Sequence, residues 1–570
     1  MKIGSPLFLR TTTAMLLAVG MSSFAVAQSS VPWTGTWSVA PQQTTIDSSF
    51  NNLQQQTLRQ TLQTSIGGSA ARVRISNTFG VQSLTVQDVH LAQSLLDSSG
   101  NPTSSTITGT DHLVTFGGST TATIPAGQTL ASDAVAIEAT PAENLMVSMY
   151  FPNGVDSANS TYHQLAGQNG MFLAAGDVSA NSTITTTSTF SSYFYLTDVD
   201  VQNSAAIGSV VALGASITDD LATTFNTNRR WTNDLAARLN AVGMQVGVVN
   251  KGISGNKLLE DGAGQSALNR FSRDVLSQPN VHWVIFSDDP INDLSDLTSS
   301  EEPSYSSLIA GVQQLISQAH ASGIKFYCST LTPNGGRPAA DWSTGAETIR
   351  EQINAFYLSG TSGCDGIVDQ AGATADPTDP VQYLPAYNSG DSLHPNDAGH
   401  LAIANAVNLG LFSSYFVQPY GGVPAAIPGT VQAENYDTGG QGIGYSVTST
   451  NGTANGYRSD GVDLETTSDT GGGYDLGWTS SEQWFRYTVN VATAGTYTVS
   501  FRVTAPNGVT DAFHLSNASG TDLSGPVNIS ATSGWQTWTT VTASVTLPAG
   551  EQVLTLIQDN SGWNVNYMTF

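Results

Sequence analysis

The hydrophobic and polar positions change rhythm twice along the chain. From about Trp33 to Val201, short runs such as "ARVRISN", "LTVQDVHLAQ", "ATIPAG", "AVAIEAT" and "NLMVSMYFP" alternate or cluster apolar residues, and Gly, Asn, Ser and Pro break them. Regularly spaced short strands with no helical period predict an antiparallel β-sandwich over 31–202. From about Ala206 to Phe416 the strand-like runs "SVVALG", "QVGVVN", "HWVIFS", "IKFYCSTLTP" and "DGIVD" alternate with helical patterns. The helices read as "RRWTNDLAARLNAVG", "SYSSLIAGVQQLISQAHASG", "GAETIREQINAFYLSG" and "NDAGHLAIANAVNLG", several closed by Gly. In the second, Leu308, Val312, Leu315, Ile316 and Ala319 share one face at helical spacing. Such alternation predicts, over 203–416, a parallel sheet with right-handed crossovers and helices on both faces, a three-layer α/β domain. The Gly- and Pro-rich stretch "QPYGGVPAAIPGT" marks a hinge, with 417–428 as linker. Beyond it, 429–570 returns to hairpins and predicts a second β-sandwich.

Several domains suit a chain of 570 residues, since one core does not organise that length. Residues 1–27 read instead as an export signal: Lys2 and Arg10 precede an apolar segment ending in Ala25-Val26-Ala27, and cleavage after Ala27 is expected. The apolar run is shorter than the ~20 residues of a membrane span, so a secreted or periplasmic protein is expected. The formal net charge of −26, with only 18 Lys and Arg, repels phosphate backbones and anionic lipid, which argues against nucleic-acid or membrane partners. Charged residues are only 11% of the chain, and the abundance of Ser, Thr, Asn, Gln and Gly suits an exported protein handling neutral polar material as a monomer. The two cysteines, Cys328 and Cys364, are either a disulfide, which export permits, or two unrelated buried thiols.

Ester hydrolysis needs a nucleophile, a base, a group that orients the base and donors for the oxyanion. Sites in parallel sheets gather beyond the carboxyl ends of the strands, and there the middle region offers one candidate for each. Ser216 follows "VVALGA"; "NKGISGNKLL" supplies Gly252, Gly255 and Asn256; "SDDPINDL" supplies Asn292; "SGDSLHPNDAG" supplies Asp391 and His394, three residues apart. That spacing lets the carboxylate reach the imidazole Nδ1 and leaves Nε2 for Ser216. Each piece alone has a plainer explanation: Asn396 or Asp397 capping the last helix, Asn292-Asp293 forming a turn. His163 in "TYHQLAG" reads as structural.

These ordered segments, over about Ile207 to Leu411, resemble the sequence blocks of the SGNH (GDSL-type) hydrolases, serine esterases on a flavodoxin-like fold; "DSLHPNDAGH" and "NKGISGNKLL" carry the resemblance most specifically. It implies Ser216 as nucleophile, His394 as base and Asp391 as its partner. The Ser216 and Gly255 N–H groups and the Asn292 amide would form the oxyanion hole, with no cofactor for catalysis. Two positions depart from the family pattern. Ala215 stands where Asp usually braces the turn, and Pro290 where Gly usually opens the third block. Proline fixes φ and deletes an N–H; a displaced Asn292 would forfeit roughly 3–4 kcal/mol of oxyanion stabilisation. Asp288 and Asp289 would add unhelpful negative charge unless they point away.

The last region resembles the carbohydrate-binding modules of families six and thirty-five, through "VQAENYD", "GYRSDGVDLE", "GYDLGWTSSEQWFRYTVNV" and "GWNVNYMTF". The resemblance implies a sugar cleft with Tyr457, Trp535 and Asn564, and a structural calcium at Gln432 and Glu434. Trp478 and Trp484 are expected in the core. Together these readings predict an exported esterase that removes acetyl or other short acyl groups from a plant-type polysaccharide while its last domain holds the glycan. The alternative is a glycan-binding protein with a degenerate, inactive hydrolase domain. A glycosidase using Asp219, Asp220, Asp288 and Asp289, or a lipase, fits the sequence less well.

Overall fold

The apolar run 208–214 becomes β1 (Gly208–Gly214), buried at every position at the heart of a five-stranded parallel sheet. Its companions are β2 (Val246–Gly252), β3 (Val281–Phe286), β4 (Lys325–Ser329) and β5 (Gly366–Val368). The strand order is 2-1-3-4-5, with every pair parallel. In such a sheet the strand order reverses between β1 and β3, and sites lie outside the carboxyl ends of the strands there. This computed structural model describes Met1 and residues 31–44, 52–295, 302–415, 419–441, 444–448, 457–458, 460, 462–478, 480–518 and 520–570. The expected export signal lies outside the described residues, Met1 apart.

The long amphipathic segments cover both faces as α2 (Trp231–Ala241), α5 (Tyr305–Ala321), α6 (Thr344–Leu358) and α8 (Asp397–Ala406), with the short α1 (Ser216–Asp219), α3 (Ala267–Phe271), α4 (Asp289–Leu294) and α7 (Gln370–Thr374) at strand ends. In α5 the predicted stripe Leu308, Val312, Leu315, Ile316 and Ala319 is buried. Ser304 and Ser343 cap α5 and α6 by accepting N–H groups of Ser307 and Ala346. Cys328 of β4 and Cys364 form a disulfide, their Cα atoms 5.8 Å apart, which settles the alternative the sequence left open.

Before this domain, a four-stranded and an eight-stranded sheet enclose a core that includes Leu58, Val73, Val89, Val147 and Val199. Its strand Trp33–Ser38 lies directly against β2. Glycine makes the approach possible: a Cβ on Gly247 would fall 2.0 Å from the Gly35 carbonyl oxygen. Across the seam the Lys251 ammonium donates to Asp198 and to the Val39 carbonyl, each at 2.8 Å, and the Ser38 hydroxyl donates to the Asn250 carbonyl at 3.0 Å.

After the α/β domain, two six-stranded sheets enclose Tyr436, Phe485, Phe501, Phe513 and Trp563. Their first strand, Ala425–Ile427, pairs in parallel with Trp484–Val491, so 425–428, expected as linker, already belong to this domain. Ile427 precedes Pro428, a position that disfavours helix and favours extended backbone.

Candidate active site

Ser216 opens α1 immediately beyond β1, and His394 and Asp391 stand on the loop that leads into α8. That loop is built by its own polar side chains. Asn388 Oδ1 accepts the N–H groups of Gly390 and Ser392, and Asn396 caps α8 by accepting from Ala398 and Gly399. Asp391 Oδ1 accepts the N–H of His394 at 2.8 Å and of Leu393 at 2.9 Å, leaving Oδ2 to bind His394 Nδ1 at 2.5 Å. His394 Nε2 then lies 2.9 Å from Ser216 Oγ. The helix cap and the D-x-x-H pair, rival explanations in the sequence, coexist in one turn.

Electrostatics follows from these contacts. Partial burial pushes the Asp391 carboxyl up, but the bonds from the imidazole and the two N–H groups outweigh it and hold the group at about 2. An ionised Asp391 fixes the proton on Nδ1, so Nε2 presents its lone pair to the serine hydroxyl. Ser216 and His394 are both buried at 6% exposure.

The two departures in the sequence acquire explanations. With Ala215 in the turn, Asp288 reaches over from the end of β3: Oδ1 accepts the Ala215 N–H at 2.9 Å and the Thr218 hydroxyl at 2.8 Å, and Oδ2 accepts the Ile217 N–H at 2.8 Å. A carboxylate from another strand braces the nucleophile turn. Gly214 makes room for it, since a Cβ there would fall 2.5 Å from Asp288 Oδ1. Pro290 occupies the first turn of α4, where a helix leaves N–H groups unpaired in any case. The feared displacement of Asn292 therefore has no cause in Pro290.

Around the serine, the N–H groups of Ser216 and Gly255 have no acceptor among the described residues. Asn292 Nδ2 donates one hydrogen to the Asn256 carbonyl at 2.8 Å, which leaves its second hydrogen. Asp289 turns to Asn256 Nδ2 at 2.8 Å and to Arg270 at 3.3 Å; Asp293 accepts the N–H groups of Leu258 and Leu259. Asp219 pairs with His163 and Asp220 with Arg230. With Asp288 on the nucleophile turn, the four carboxylates considered for a paired-acid glycosidase, Asp219, Asp220, Asp288 and Asp289, are thus committed to other partners.

In the last domain a cleft of about 220 Å³ is lined by Glu465, Trp478, Trp535 and Asn564. Trp535 and Trp478 are 50% and 47% exposed. The core placement of Trp478 is therefore corrected: it sits in a turn, at φ 50°, after the strand Tyr474–Leu476 has ended. The flanking Gly477 and Thr479 in "LGWTS" were the sequence signal for it. Trp484 is also outside the core, half-buried beneath the Arg486 guanidinium at 4.7 Å. Asn564 donates to Asp475 and Glu465 at 3.0 and 3.2 Å. Tyr457 does not line this cleft; its ring lies 5.6 Å from that of Tyr420 and 5.0 Å from that of Tyr474, and its hydroxyl donates to Asn435.

Glu434 is buried; Oε1 takes the Tyr474 N–H at 3.5 Å, but Oε2 has no donor. Burial pushes its carboxyl up. An oxygen-liganded cation would answer such a donorless carboxylate oxygen, and Gln432, half-buried on the preceding strand, carries an amide oxygen of the type calcium takes.

Comparison with known proteins separates the same regions. Residues 212–402 match the GDSL-like Lipase/Acylhydrolase family, and 453–570 match Carbohydrate binding module (family 6). The Clotting factor G alpha subunit of Tachypleus tridentatus is 29% identical over 113 residues, 20% of this chain; the chain spans only 17% of that relative. A carbohydrate binding module from Cellvibrio mixtus lichenase 5A, solved with cellotriose, is 32% identical over 25% of this chain and 94% of its own, with a TM-score of 0.20. A β-1,3-glucan binding module from Bacillus halodurans is 27% identical over 26% and 98%, with a TM-score of 0.21. By sequence, residues 212–402 are similar to the GDSL-like lipases and acylhydrolases, and residues 453–570 to the family 6 carbohydrate-binding modules.

Proposed function

We propose that this chain is an exported serine esterase that removes acetyl or other short acyl groups from polysaccharide while its C-terminal module holds the glycan. The observation that carries the reading is the row Ser216–His394–Asp391, with contacts of 2.9 and 2.5 Å. His394 Nε2 takes the hydroxyl proton as Ser216 Oγ attacks the ester carbonyl. The oxygen that becomes negative meets the N–H groups of Ser216 and Gly255 and the free hydrogen of the Asn292 amide. His394 returns its proton to the departing sugar oxygen and leaves an acyl-serine. Water, deprotonated by the same imidazole, releases the acid and restores Ser216. Asp391 keeps the ring oriented and stabilises the imidazolium that forms twice per turnover.

Trp478 and Trp535 would offer flat faces to the sugar rings, with Asn564 fixing their polar edge. Calcium, held by Glu434 and Gln432, would brace that domain and take no part in the hydrolysis. Tethering raises the local concentration of ester without changing the chemistry.

The test compares wild type with Ser216→Ala on p-nitrophenyl acetate and on acetylated xylan and pectin. A loss of at least about 10³-fold with unchanged circular dichroism is expected; equal turnover by the variant overturns the reading. A fluorophosphonate probe should label wild type only, and an unlabelled wild type would leave a glycan-binding protein with an idle hydrolase domain.

A further inference from the structure

His163 lies in the N-terminal domain, on the strand Ser160–His163, yet its ring ends beside the nucleophile turn. Nδ1 is 2.9 Å from the Ala40 carbonyl oxygen, and Nε2 is 2.9 Å from Asp219 Oδ1. Both partners only accept, so both ring nitrogens donate and the ring is an imidazolium. His394 differs, since one of its nitrogens faces a hydroxyl that donates. The pair is sealed from water, with His163 and Asp219 each 2% exposed. Asp219 closes α1, three residues after Ser216, and its second oxygen accepts the Ser254 N–H at 2.9 Å. Ser254 immediately precedes Gly255.

The N-terminal domain holds the same loop at a second point. Gln42 donates to the Ala263 carbonyl at 2.9 Å while its own amide oxygen accepts the Gln164 N–H at 3.0 Å. The Ala263 methyl lies 3.3 Å from where a Cβ on Gly255 would stand. Gly255 is thus bracketed: from one side through His163, Asp219 and Ser254, from the other through Gln42 and Ala263.

We infer that the N-terminal sandwich is a working part of the hydrolytic site: through His163 and Gln42 it sets the direction of the Gly255 N–H, and His163 is a positioning residue for the oxyanion loop. This rests on the esterase reading above. The groups facing the imidazolium are Asp219 and, further off, Asp220, both anionic partners, with Arg230 beyond them donating to the Asp219 carbonyl at 2.6 Å and pairing with Asp220; Tyr193 lines the same small interdomain cavity. Burial disfavours the cation, but the two carboxylates and the Ala40 carbonyl outweigh it, and His163 holds its second proton above the ordinary histidine range. Alkaline conditions that remove this proton set a lone pair against the carboxylate and release the loop.

The experiment uses the full-length chain with His163→Leu, His163→Gln and Gln42→Ala. The leucine deletes both donors, whereas the glutamine amide can still donate to Asp219 without a charge. Expected for His163→Leu is a fall in kcat on p-nitrophenyl acetate approaching the ~10²-fold of a lost oxyanion donor, with KM within about twofold. His163→Gln should recover most of kcat and flatten the alkaline limb of the wild-type pH profile. Amide hydrogen exchange of the segment around Ser254, which needs no activity, should quicken in His163→Leu and Gln42→Ala. Should His163→Leu fail to fold, the other two variants carry the same comparison. Wild-type kcat in a folded His163→Leu, or unchanged exchange at Ser254, overturns the inference; a wild type without esterase activity sinks the esterase reading, and exchange still decides whether His163 clasps the loop.

Discussion

The Asp288 carboxylate, just beyond the neighbouring strand β3, accepts the N–H of Ala215 at 2.9 Å. It also takes the Ile217 N–H and the Thr218 hydroxyl, so one buried side chain closes the turn that presents Ser216. Asp288→Ala should strand those donors in a water-free place, at about 1–3 kcal/mol for each backbone group left unpaired. Both thermal stability and kcat should drop, and calorimetry with p-nitrophenyl acetate kinetics checks them. An active, equally stable Asp288→Ala would show that the turn holds itself.

Stability should fall as pH rises through mildly acidic values. Burial pushes Asp289 and Asp293 up, to about 6 and about 7, and Asp437 and Asp475 to about 6. In the unfolded chain such groups ionise near 3.9. Between about pH 4 and 7 the native protein therefore keeps protons that the unfolded chain has lost, and each rise in pH favours unfolding. Asp391 acts in the opposite sense, but its contribution disappears only as pH falls toward about 2. The melting temperature should be higher at pH 5 than at pH 8; a rise between those values contradicts the assignment.

Glycan affinity should rest on the two exposed tryptophans. Trp478→Ala and Trp535→Ala each remove an aromatic face worth about 1–2 kcal/mol, a loss of roughly tenfold in binding. Tyr457→Phe keeps the ring between Tyr420 and Tyr474 and should leave affinity unchanged. Affinity electrophoresis against a panel of soluble β-glucans and xylans measures all three.

Calcium added to chelator-treated protein should raise the melting temperature of wild type, and Glu434→Ala should not respond. Equal responses would place the ion elsewhere.

Reduction of the Cys328–Cys364 bond, or its replacement by Ser at both positions, should cost about 3–4 kcal/mol for a 36-residue loop, read as a lower melting midpoint.

Ser216 was legible because a β-strand end delivers it: it follows an apolar run whose period announces the strand, whereas α7 and a short hairpin separate Asp391 and His394 from β5. The D-x-x-H spacing is local, so short-range turn chemistry sufficed. His163 was not legible in this way, since its partner Asp219 lies 56 positions away in another domain and no local pattern joins them. The role of Asp288 was open in the sequence for a related reason. Charge near an oxyanion reads as harmful until the backbone donors that surround the carboxylate are known. Trp478 shows a third limit, because an aromatic residue has the same letter in a core and in a cleft.

Tyr420 stacks on Tyr457 and beneath Arg458, so the C-terminal module claims the chain from there onward. Only five positions separate it from Tyr415, the last residue of the helical turn Leu409–Tyr415. At ~3.5 Å per residue that leash is no longer than about 18 Å. An anchored molecule therefore works a small neighbourhood around its foothold and must let go to reach fresh ester. Partial digests should carry bare patches beside untouched stretches rather than an even thinning along the fibre.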